Sequence, residues 1–126
     1  MRRSTTLLVV AVLALAGCSS AGSPTTTAAA PTAPPSASDV ATKASCTGWA
    51  ATTGQLEMYV KESGTCTVGA AQINVDTFND QAARDNYLKI AKSFGGSFGQ
   101  GALWVIHGDD AAAVSKAVSA AGGSNA

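Results

Sequence analysis

The sequence predicts an α+β domain, a small two-layer fold. A sheet of three or four strands, antiparallel or mixed, would carry two helices on one face. Segments with apolar residues at period two come first, and segments with apolar residues at helical spacing and clear stop signals come later. A short continuous apolar run separates the two helical segments. The order reads β-β-β-α-β-α across 43–123, with a short tail over 124–126.

Each element has its own signal. Leu56, Met58 and Val60 alternate with Glu57, Tyr59 and Lys61, as in a half-buried strand. Glu62-Ser63-Gly64 reads as a turn, and residues 65–68 return as a short strand carrying Cys66. Ala71, Ile73 and Val75 alternate with Gln72, Asn74 and Asp76, a third strand with one wet face. Asn79 or Asp80 can cap the first helix, whose Ala83, Tyr87, Ile90 and Phe94 form a stripe ended by Gly95-Gly96. Asp80 with Arg84, and Asp85 with Lys89, put acid before base at i,i+4. Leu103-Trp104-Val105-Ile106 has the look of an interior strand, reached from Ile73 by a right-handed crossover. Gly108-Asp109-Asp110 opens the last helix, with Val114, Ala117, Val118 and Ala121 as its stripe and Gly122-Gly123 as its stop.

Upstream of this domain the chain carries address information. Arg2-Arg3 is followed by an apolar run over 7–16, the layout of a secretory leader occupying 1–17. A spanning helix needs about 20 apolar residues, more than this run supplies. Leu15-Ala16-Gly17-Cys18 resembles a bacterial lipobox. That resemblance implies a diacylglyceryl thioether on Cys18 as membrane anchor and a protein on the extracytoplasmic side. Each buried methylene adds about 0.8 kcal/mol, so several acyl chains anchor stably where one would not. Residues 18–42 then form a lipidated cysteine and a Ser/Thr/Ala/Pro tether, too poor in large apolar side chains to fold.

Three cysteines are an awkward number for an exported protein. Lipidation of Cys18 leaves Cys46 and Cys66 as an even pair in an oxidising compartment, and a disulfide between them is expected. The pair and one histidine offer no zinc-ligand spacing, and no metal or cofactor is expected. Loss of the leader removes Arg2 and Arg3, leaving acidic residues in slight excess, so nucleic acid is not an expected partner.

With Gly64-Thr65-Cys66, Thr77-Phe78, Ala83-Arg84-Asp85 and Gly101-Ala102-Leu103-Trp104-Val105, the segment over 66–123 resembles a small domain of uncharacterised actinobacterial lipoproteins. It implies a fold and a location but brings no activity.

Three motifs bear on chemistry. Gly95-Gly96-Ser97-Phe98-Gly99 matches the serine-hydrolase elbow, with His107 and Asp109 following. That mechanism needs a strand, a sharp turn and then a helix, whereas this pattern follows a helix and precedes a strand. A helix C-cap and connecting loop accounts for the same glycines. The stretch also lacks the Gly-Lys-Ser/Thr ending of a phosphate loop. His107 beside Asp109 and Asp110 resembles a ligand cluster, yet aspartates at a helix start also serve as caps. Trp49 and Trp104 are candidates for core packing, with Trp49 also a contact for a sugar or peptide.

These observations lead to a non-enzymatic, lipid-anchored envelope protein whose domain binds another component, a protein partner foremost. The candidate binding residues are Gly95, Ser97, Phe98, Gly101, His107 and Trp49. A small-ligand or metal carrier built on 95–101 and His107 is the alternative, and a serine hydrolase through Ser97 is the third reading.

Overall fold

The computed structural model describes residues 33–126. Cys18, its leader and the first part of the tether lie outside the described residues. The elements are α1 (Ala37–Lys43), β1 (Thr47–Ala51), β2 (Val60–Val68), β3 (Ala71–Phe78) and α2 (Gln81–Ala91). After a 3₁₀ turn over Lys92–Phe94 come β4 (Ser97–Gln100), β5 (Trp104–Gly108), α3 (Ala111–Ala120) and β6 (Ser124–Asn125). The class is α+β, as expected, but the sheet is larger: six strands in the order β1-β2-β3-β5-β4-β6, every neighbouring pair antiparallel.

Helix α1 corrects the expected boundary at residue 43. Ser36 Oγ accepts the Asp39 N–H at 3.1 Å, and Glu62 of β2 accepts the Ala37 N–H at 2.9 Å. Two of the free donors at the helix start are thereby satisfied. Its exit is a Schellman motif, with Ser45 N–H to the Thr42 carbonyl and Cys46 N–H to the Ala41 carbonyl. Ala37, Val40 and Ala41 are buried. The composition is that of a tether, and tertiary packing makes it a helix.

The first strands also differ from expectation. The alternation over 56–61 precedes most of β2, and Met58 is exposed. Glu62-Ser63-Gly64 lies inside β2 rather than in a turn. The reason is Trp49 on β1: a side chain at Gly64 would collide with its indole. A glycine within a strand can mark such a close approach as well as a bend. Cys46 and Cys66 form the expected disulfide, with Cα atoms 5.7 Å apart and a separation of 20 residues. Closing a loop of that length stabilises the fold by roughly 3 kcal/mol.

The expectation of helices on a single face is overturned. Ile73, Val75, Trp104 and Ile106 pack with α1 and with Val114, Ala117 and Val118 of α3. Phe78 and Val105 pack on the other side, with Tyr87 and Leu88 of α2. The missed strand β4 explains why. Because β5 pairs antiparallel with both β3 and β4, the latter two run parallel and α2 links them. By the same logic α3 links the parallel strands β5 and β6. These crossovers step the same way across the sheet from strands of opposite direction. Crossovers of one hand must then place their helices on opposite faces. The expected direct crossover from β3 to β5 is likewise replaced, since those strands are antiparallel.

Candidate functional site

The α2 side of the sheet holds a polar cluster. Asp76 of β3, His107 of β5 and Phe98 of β4 project onto this face, since Asp76 pairs with Val105 and Phe98 pairs with His107. His107 sits diagonally from Asp76, within reach for a long side chain. Tyr87 comes down from α2 and closes the triangle. Its hydroxyl donates to Asp76 Oδ2 at 3.0 Å, and His107 Nε2 lies 2.9 Å from the same oxygen. The Tyr87 hydroxyl and His107 Nε2 are 3.2 Å apart.

Asp76 is only 3% exposed, so its charge depends on these partners. The Asp76 carboxyl accepts from the Tyr87 hydroxyl, and from His107 in the tautomer that carries its proton on Nε2, with Nδ1 outside the triangle. Burial, with the Asp76 carboxylate beside it and Glu57 as a lesser influence, pushes the Tyr87 phenol well above the ordinary tyrosine range. Tyr87 is thus a neutral, committed donor. Phe98 stacks on His107, ring centroids 5.5 Å apart and planes 15° apart, holding the imidazole upright between two hollows.

The first hollow is a cleft of about 370 Å³ between the 57–59 loop, the end of α2 and the His107–Phe98 wall. Around it stand Met58, Tyr59, Ile90 and Phe94, exposed by 72, 40, 50 and 85% respectively. Large apolar side chains so exposed and gathered in one place mark an interaction site more often than scattered ones do. Tyr59 also has a φ of 76°, an unusual conformation for a bulky residue and a strain found mostly at sites of function. The second hollow, about 360 Å³, lies beyond the same wall and is polar, reached by Asn74, Gln72, Asp109 and Asp110.

The residues singled out from sequence separate into distinct places. Gly95, Phe98 and His107 come together, and Gly95 borders both hollows. With φ of 88° and 101°, Gly95 and Gly96 turn the chain from the 3₁₀ turn into β4 through a conformation closed to most side chains. Ser97 faces the other way: it borders a separate hollow beside Val114 and Ser115 of α3. Strand alternation therefore puts the sheet between Ser97 and His107, and the imidazole's carboxylate partner is Asp76 instead of Asp109. Asp110 caps α3 by accepting the Ala113 N–H at 2.8 Å. Gly101 is remote from the cleft; Trp104 packs over it, and Arg84 donates to the carbonyls of Gly101 and Ala102. Arg84 pairs with its neighbour Asp85 at 2.6 Å, in place of the expected Asp80. Trp49 is half-buried against the opposite core, across the sheet from the cleft.

Sequence reasoning missed Asp76 and Tyr87 as site residues. Asp76 belongs to an alternation that predicts a solvated face, and Tyr87 to a stripe that predicts core. One signal is present: the stripe continues through Ile90 to Phe94, beyond what a short helix can bury, and both of these residues are exposed. Among the described residues, no group of three or more His, Cys, Asp or Glu side chains is placed to hold a metal ion. No helix among them is long and apolar enough to cross a membrane. No family model, curated protein or solved structure matches the chain.

Proposed function

We propose that this domain is a non-enzymatic binding module whose cleft above His107 receives an apolar ligand group. The observation that carries the reading is the collection of Met58, Tyr59, Ile90 and Phe94, all exposed, around one concavity. A volume of about 370 Å³ falls within the range of roughly 300–1,000 Å³ common for small-molecule sites. His107 offers an orienting polar group at the floor, while Ser97 lies across the sheet from the imidazole, which speaks against hydrolysis through that pair. The small-ligand reading is therefore favoured over the protein adaptor.

A neutral aromatic probe, 1-naphthol, tests it. Saturation-transfer NMR on the full chain in zwitterionic nanodiscs should show binding, and Phe94→Asp should weaken it at least about tenfold by placing a charge on the apolar rim. Binding unchanged in that variant, or none in the parent protein, would overturn the reading.

The lipobox resemblance supports an envelope location, with Cys18 lipidated and the domain held on the extracytoplasmic side. Incorporation of a clickable fatty acid should be lost in Cys18→Ala. Labelling that survives the substitution rules out this anchor.

A further inference from the structure

We infer that the occupant of the cleft is a small organic cation, an ammonium group with apolar substituents; this rests on the cleft reading above. The argument is charge complementarity. Four aromatic side chains, Tyr59, Tyr87, Phe94 and Phe98, line the cleft from the loop, the α2 end and the sheet. The negative faces of such rings attract cations within about 6 Å of their centroids, most strongly where water is excluded. Glu57 adds a carboxylate at the rim, and Asp76 places a second one behind the Tyr87 hydroxyl and the imidazole. Among the described residues, no lysine or arginine lines the cleft.

The alternatives fit less well. A carboxylate or phosphate would meet Glu57 at the rim with no lysine or arginine beside it among the described residues, and the imidazole nitrogen facing Asp76 is already engaged. A purely apolar group would use the rings but gain nothing from either carboxylate. An ammonium whose charge is spread over methyl substituents uses both, because its desolvation cost is low and its apolar surface packs against Met58 and Ile90. The Asp76–Tyr87–His107 triangle supplies the floor, where the Tyr87 hydroxyl is engaged by Asp76 and Tyr87 is part of the lining.

Three compounds of one shape and different charge decide the matter: choline, uncharged 3,3-dimethylbutan-1-ol and anionic 3,3-dimethylbutanoate. Each competes with 1-naphthol for the full chain in zwitterionic nanodiscs, with empty discs as control. Choline should displace the probe at a concentration about tenfold lower than the alcohol, the size expected of a partly desolvated cation–π contact. The anion should be weakest. Glu57→Gln should narrow the gap between choline and alcohol without weakening the alcohol. If choline competes no better than the alcohol, or no compound displaces bound 1-naphthol, the cation inference is overturned and the apolar cleft stands. Absence of 1-naphthol binding removes both.

Discussion

Two neighbouring residues of β3 divide the molecule. Thr77 points to the face covered by α1 and α3, Asp76 to the face covered by α2. Both are buried. The first face is continuous apolar packing, with Ile73, Val75, Ile106, Val114 and Val118 almost wholly enclosed. In it the Thr77 hydroxyl is, among the described residues, a buried side-chain polar atom with no hydrogen-bond partner. The second face is covered only in part. Phe78, Val105 and Leu88 make a small cluster, and beside it the carboxylate of Asp76 is matched to two donors under an open cleft. One face is built to hold the fold together; the other spends part of its area on polar order and on apolar groups left uncovered.

Opposite responses to the same substitution should expose the division. Asp76→Val removes the acceptor shared by the Tyr87 hydroxyl and His107 Nε2, and a buried polar group left without a partner costs about 1–3 kcal/mol. Urea unfolding should show a loss of that order. Thr77→Val keeps the shape and removes a hydroxyl that has no partner, so it should raise stability by up to about 1 kcal/mol. Loss of stability at both positions would mean that the two faces do not differ in the way described.

How much of this could be read from sequence follows the range of the forces involved. Helices α2 and α3 are written locally, in the caps Asp80 and Asp110 and the glycines after them, and both were expected. Helix α1 was not, because its residues have no stripe of their own; burial of Val40 and the reach of Glu62 hold it. Strand β4 was hidden in a glycine-rich loop signal. Its Gly99 is there because Val118 of α3 lies where a side chain would be, a constraint that belongs to packing and not to turns. Missing β4 leaves the expected sheet too small, the order of elements wrong and both helices on one face. In the site, Phe98 and His107 were legible as unusual residues near a glycine run. Asp76 was not, since an alternating strand predicts which residues share a face but not what will cover it. The cleft rim, drawn from a loop and the overhang of α2, exists only in the folded chain.

The smallest effect is a pH dependence, and its sign separates the triangle from ordinary core. Tyr87 has its pKa raised by burial first and the Asp76 carboxylate second. Folded protein therefore keeps the phenol proton where the unfolded chain, titrating near pH 10, begins to release it. Over that range the native state binds more protons, so stability falls as pH rises. Below about pH 10 both states are protonated and the shift contributes its full stabilising share; above it, that share is progressively lost. Thermal melting followed from pH 8 upward should thus decline more steeply in the parent protein than in Tyr87→Phe, which has no phenol to titrate at this position. The variant should start lower, having lost the donor to Asp76, and the two curves should converge with rising pH. Parallel curves would mean that Tyr87 gives up its proton as readily in the fold as out of it, and that the floor of the cleft is open to water rather than ordered by Asp76.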